Sequence, residues 1–105
     1  MRDGRRWNGR VNRLYYSCYY AAAALLLTKN LSFAKHSGTR SLLNKHFIKT
    51  QIISTDLGEL YNTLFDLRQE SDYEDFFRLT PELVKPWVPL TNDFITRVEV
   101  IISKS

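Results

Sequence analysis

The segment Leu67-Arg68-Gln69-Glu70-Ser71-Asp72-Tyr73 puts a cation and an anion where apolar side chains are expected. Counting about 100° per residue from Leu57 places Leu60, Tyr61, Leu64 and Phe65 on one stripe of a helix. On the same count Arg68 falls at about 20° and Asp72 at about 60°, inside that stripe. Glu59, Asp66 and Glu70 point the other way, as surface charges should. A charge in an apolar stripe is costly unless it is paired. Arg68 and Asp72 stand at i and i+4, so one reading is a structural ion pair closing one end of a bundle. The other reading places them in a cleft, formed with a second copy of the chain, where a fixed guanidinium meets a phosphate or a scissile backbone.

Three further groups have chemical potential. Tyr15, Tyr16, Tyr19 and Tyr20 lie within six residues. They either stack bases or form core with their hydroxyls at its edge. Arg40, Lys45 and Lys49 share one helix and make either a phosphate-contacting patch or a solvated basic face. His36 and His46 are the only histidines, and neither has a nearby Cys, Asp or Glu to complete a metal site. Cys18, the single cysteine, lies in a dense apolar run and reads as an inert core thiol. Glycines at 4, 9, 38 and 58 fit neither a phosphate loop nor a dinucleotide fingerprint. No cofactor is expected. Catalysis, if present, rests on Arg, Asp, Tyr and His side chains. Metal-independent RNA cleavage is a reaction such a set supports, because RNA brings its own 2′-hydroxyl nucleophile.

The elements that position these residues are helices. Gly and Pro are scarce, with 4 and 3 copies in 105 residues, which disfavours a turn-rich β architecture. One domain, residues 1–105, is expected. A first helix from about Arg5 to Lys29 carries Val11, Leu14, Tyr15, Cys18, Ala22, Leu25 and Leu26 on one stripe. Tyr16, Tyr19, Tyr20, Ala23 and Leu27 form a second stripe beside it. Such a helix is expected to be central and buried on several sides, with another subunit as a candidate cover for one of them. A second helix starts near Ser37 or Thr39 as N-cap and runs to Lys49. The third runs from Thr55 to Phe77, capped by Ser54 or Thr55. Thr80-Pro81-Glu82 starts the last, where Pro86 and Pro89 impose either a kink or a short turn before a helix from about Pro89 to Lys104.

Charge is unevenly divided. Residues 1–50 carry ten Lys/Arg against one Asp, a net +9; residues 51–105 carry five against ten acids, a net −5. Either the basic half faces a polyanion, or basic and acidic helices face each other within the fold. The lone cysteine suits a reducing compartment, no signal peptide is visible, and the longest uncharged run, 14–28, is too short to span a membrane. A cytoplasmic protein without membrane association is expected.

Val11-Asn12-Arg13-Leu14-Tyr15-Tyr16-Ser17-Cys18-Tyr19-Tyr20-Ala21-Ala22 resembles the first block of the HEPN domain (higher eukaryotes and prokaryotes nucleotide-binding). His36-Ser37-Gly38, followed by Lys45-His46-Phe47-Ile48-Lys49-Thr50, resembles its second block, and Leu67 to Tyr73 its third. The resemblance implies an all-α, antiparallel four-helix up-and-down bundle that forms a homodimer. It also implies partnership with a minimal nucleotidyltransferase, as a toxin–antitoxin pair. Many members are metal-independent RNases whose motif is Arg, four to six residues, then His. At the matching place this chain has Arg68, with Asp72-Tyr73 where His is expected. Arg40 and His46 meet the spacing literally, but on the second block. Members of this branch usually carry another helix before the first block, so this copy is expected to be N-terminally short, with apolar surface left for a partner.

The expected function is therefore an interaction and RNA-binding module, with Arg40, Lys45, His46 and Lys49 as its RNA- or phosphate-binding candidates. The alternatives are an endoribonuclease using Arg68 with Asp72 and Tyr73 at a dimer cleft, and a nucleotide-binding domain.

Overall fold

The first helix, α1 (Arg2–Thr28), supplies the spine against which the other helices pack. A computed structural model describes the backbone of residues 2–31, 35–69 and 81–104, and the side chains of 10–31, 35–68 and 82–104. Val11, Tyr15, Cys18, Ala22, Leu25 and Leu26 are buried along one stripe of α1, as its periodicity predicts. The second stripe is not buried within the chain: Tyr16, Tyr19 and Ala23 are half-buried, while Tyr20 and Leu27 remain 66% and 62% exposed. The tyrosine run is thus core only at Tyr15; the other three form a graded edge. Asn30, at φ 61°, ends α1 by letting the Leu31 amide donate to the Leu26 carbonyl and the Asn30 amide to that of Leu27.

Helix α2 (His36–Leu43) begins two residues earlier than Ser37 as N-cap would place it, and four earlier than Thr39. Lys35 holds the N-cap position without a side-chain cap bond, and Thr39 is buried inside the helix. A π-helical turn, Asn44–Ile48, then continues α2. Helix α3 (Thr55–Gln69) starts at Ser54, whose hydroxyl accepts the Leu57 amide at 3.3 Å. Leu60, Tyr61, Leu64 and Phe65 are its buried face, and Leu57 is half-buried. The expected extension to Phe77, with Asp72 and Tyr73, lies outside the described residues.

A single turn, α4 (Pro81–Val84), precedes α5 (Trp87–Ser103), so the short-turn alternative at Pro86 holds. Pro89 sits in the first turn of α5, where a missing N–H leaves no helical bond unmade. Phe94 and Val98 complete the core from α5. The described chain is an all-α bundle of four principal helices, and no described helix is long and apolar enough to cross a membrane.

Candidate functional site

Arg68 lies near the end of α3, on the side that faces α1. It is half-buried, and its Nε and Nη2 groups donate to the Tyr16 hydroxyl at 3.1 and 2.8 Å. The guanidinium carbon also stands 5.3 Å from the Tyr16 ring centre and 5.5 Å from that of Tyr15. A guanidinium has five N–H donors, so Tyr16 occupies only part of the fork. Among the described residues the remaining donors have no hydrogen-bond partner. The expected counter-ion, Asp72, lies outside the described residues, as does Tyr73.

His36, the first residue of α2, joins the same cluster. Its Nδ1 is 2.8 Å from the Tyr15 hydroxyl, and its ring stacks on Tyr19 at 4.1 Å and 5°. Tyr16 meets it edge-on, with ring centres 5.9 Å apart. Consecutive tyrosines of α1 therefore each hold one polar group of the site: Tyr15 takes His36, and Tyr16 takes Arg68. Burial, reinforced by the Arg68 charge, lowers the His36 pKa below the usual histidine range. The ring is thus neutral near pH 7, with one nitrogen donating and the other accepting. Burial also pushes the Tyr15 phenol up to about 12, so it serves as a neutral hydrogen-bonding group. Cys18, fully buried, is likewise raised to about 12 by burial, which keeps it a thiol.

The lowered His36 pKa has a consequence for stability. Below about 6.5 the unfolded chain takes up a proton at this position before the folded chain does. Stability is therefore expected to fall as pH drops through 6.5, and to keep falling until the folded histidine also titrates. Melting temperatures measured from pH 7.5 to 5 should show this loss, and His36→Asn, which can still meet Tyr15, should flatten that part of the profile. A profile identical in the variant would contradict this account of His36.

The second group of candidate residues is divided by the fold. Arg40 forms an ion pair with Asp66 at 3.1 Å and lies 4.1 Å over the Phe65 ring. Its guanidinium is thereby fastened to α3. It joins a basic residue of the first half to an acidic residue of the second. Arg40 lines an open groove with Ser41, Asn44, Lys45, Lys49 and Asn62. Lys45 and Lys49 are exposed and have no ion-pair partner among the described residues. Half-buried His46 does not line the groove, so the literal Arg40–His46 spacing does not bring those two side chains into one site. Asn44 and Asn62 exchange amide hydrogen bonds at 3.2 Å in both directions, and Asn44 also donates to the Arg40 carbonyl. This clamp ties the π-helical turn to α3.

Sequence reasoning placed Arg68 on the inward side of α3 but missed His36 and the roles of Tyr15 and Tyr16. A histidine at a helix start, 21 residues from its tyrosine partner, carries no local signal of that contact. Among the described residues no three His, Cys, Asp or Glu side chains converge as a metal site would require.

Comparison with known proteins finds relatives of the chain. The chain is 39% identical over 97 residues to a UPF0332 protein of Thermotoga maritima, covering 92% of this chain and 74% of that one. Two Methanocaldococcus jannaschii proteins, each named "Putative toxin", are 40% and 32% identical over 72 and 71 residues. Those alignments cover 69% and 68% of this chain, which spans only about half the length of either protein, 49% and 53%. No solved structure matches significantly. The family model described as the HEPN domain matches residues 1–101, and the chain belongs to that family.

Proposed function

We propose that the chain is an RNA-binding HEPN module, a homodimer forming one half of a toxin–antitoxin pair with a minimal nucleotidyltransferase. The observation that carries this reading is Arg68: a half-buried guanidinium seated on a tyrosine ledge, with donors that no described residue takes. A fork held in that way is prepared for a phosphate, whose oxygens match its geometry. The names of the two M. jannaschii relatives support the toxin context. Exposed Leu27 and half-buried Ala23, at the far end of α1, support a second copy docking there. Lys45 and Lys49 extend the basic surface that such a module offers to a polyanion.

A cleaving enzyme is the second reading, and His36 favours it. A neutral imidazole beside a guanidinium is the pair that RNA transesterification needs. His36 would take the 2′-hydroxyl proton as the 2′-oxygen attacks phosphorus. The 5′-oxygen would leave with a proton from solvent or from the imidazolium, giving a 2′,3′-cyclic phosphate. Arg68 would stabilise the charge on the phosphoryl oxygens. In this reading His36 joins Arg68 as the proton-transfer group.

Incubating the purified protein with labelled single-stranded RNA in the presence of a chelator tests both. Retarded but intact RNA supports the module. Cyclic-phosphate ends that vanish in His36→Asn support the enzyme. Protein that neither retards nor cleaves RNA at micromolar concentration refutes both readings, and a monomer by light scattering refutes the homodimer.

A further inference from the structure

We infer that Tyr20, with Tyr16 beside it, is a stacking subsite for one unpaired nucleobase of a single-stranded RNA whose phosphate rests on Arg68. The inference rests on the RNA-binding reading above and names where the base goes. Tyr20 is 66% exposed. A ring with both faces covered cannot expose two thirds of its residue surface, so at least one face is open to solvent. Its edges are nevertheless held. Tyr16 stands 6.0 Å away at 32°, and Tyr19 stands 5.5 Å away at 62°. Tyr19 is in turn fixed by its stack on His36. The exposed ring therefore leans on two other rings, with an open face left for a base.

What surrounds Tyr20 decides between a base and a protein partner. On one side lie the Tyr16 hydroxyl and the Arg68 fork that it holds. Arg68 stands 5.3 Å from the Tyr16 ring, so the cation and Tyr20 flank the same side chain. Exposed Arg13 lies two helical turns before Tyr20 on the same side of α1, and exposed Ser17 lies one turn before it. Both cations, Arg13 and the Arg68 fork at Tyr16, therefore lie before Tyr20 along α1. The apolar side begins at Ala23, one turn after Tyr20, and reaches Leu27, seven residues on and roughly 10 Å along the axis. An extended strand following α1 would meet charge first and then an open ring face, the combination used in sequence-tolerant single-strand binding. A duplex hides its base faces and cannot use it.

The test uses fluorescence anisotropy with a labelled ten-residue uridine oligonucleotide, the same strand in a duplex, and an abasic ribose-phosphate oligomer. Tyr20→Leu keeps bulk but removes the ring; Tyr20→Phe keeps the ring. Binding of the single strand is expected to weaken roughly 5- to 100-fold in Tyr20→Leu and to change less than twofold in Tyr20→Phe. The abasic oligomer should bind the native protein and Tyr20→Leu equally weakly. The slope of log affinity against log salt should be unchanged in Tyr20→Leu, because no phosphate contact is lost. Native-like affinity in Tyr20→Leu, or duplex bound as tightly as single strand, overturns the subsite while leaving RNA binding intact. A change of assembly mass in Tyr20→Leu by light scattering also overturns it, assigning the ring to a protein contact. If the native protein binds no RNA at all, the parent reading falls and the subsite with it.

Discussion

Arg68→Ala is expected to weaken single-stranded RNA binding by about 10- to 100-fold, the value of one charge-assisted phosphate contact. The slope of log affinity against log salt should become shallower by about 0.7, one phosphate's share for a single strand. Arg68→Lys keeps the charge but not the fork. An ammonium cannot engage both the Tyr16 hydroxyl and two phosphoryl oxygens in one plane, so an intermediate loss is expected. The same substitutions probe structure. In the described structure the guanidinium is half-buried and its hydrogen-bond partner is the Tyr16 hydroxyl. Removing it should cost about 1 kcal/mol of stability, less than breaking a fully buried ion pair. A melting curve on each variant therefore separates the two roles. Lost binding with a nearly native melt supports the phosphate contact. Native-like binding by Arg68→Ala, or a melt lowered by several kcal/mol, would mean that Arg68 serves the fold.

The second large effect is expected at Gly58, far from Arg68 on the same helix. A Cβ added there would stand 2.6 Å from Ile48 Cγ2 and 2.9 Å from Cδ1. Cγ2 is attached directly to the Ile48 Cβ, so it cannot swing away as the end of a long side chain can. Ile48 closes the π-helical turn, and the Asn44–Asn62 clamp fixes that turn to α3. Gly58→Ala must therefore push α3 off the turn. Alanine's better helix propensity returns about 1 kcal/mol, while overpacking costs typically 1–3 kcal/mol. A net loss of about 1–2 kcal/mol is expected in denaturant unfolding, and a larger one for Gly58→Val. The sign should reverse in an Ile48→Ala background, where Gly58→Ala should stabilise by up to about 1 kcal/mol. A loss of the same size in both backgrounds would show that the close approach to Ile48 is not the cause.

The two effects are linked through the path of the chain. The π-helical turn follows α2, whose first residue is His36 and whose Arg40 is tied to Asp66. A shift of α3 against that turn would alter the relation between the helix carrying His36 and the helix carrying Arg68. Gly58 variants are accordingly a test of how strictly the RNA site depends on that relation: binding should weaken in step with the unfolding free energy, without a change in salt slope.

What the sequence by itself determined is the set of local properties. Helical periodicity depends on residues three and four apart, so the buried stripes of α1 and α3 were readable before any tertiary contact was known. The inward side of α3 carrying Arg68, and the presence of a second apolar stripe on α1, follow from the same counting. The blocks that resemble the HEPN domain are equally local, which is why the family was legible. Partner choice was not. Arg68 meets Tyr16 across 52 residues, Arg40 meets Asp66 across 26, and His36 meets Tyr15 across 21. Each depends on how far two helices rotate and slide against each other, and a periodic pattern constrains that only to within a face. The sequence offered four tyrosines and four candidate cations; only the packing of α1 against α2 and α3 decided which hydroxyl holds which group. The π-helical turn is the same kind of fact. Its last residue, Ile48, fits the space that Gly58 leaves on a different helix, and no count along α2 contains that contact.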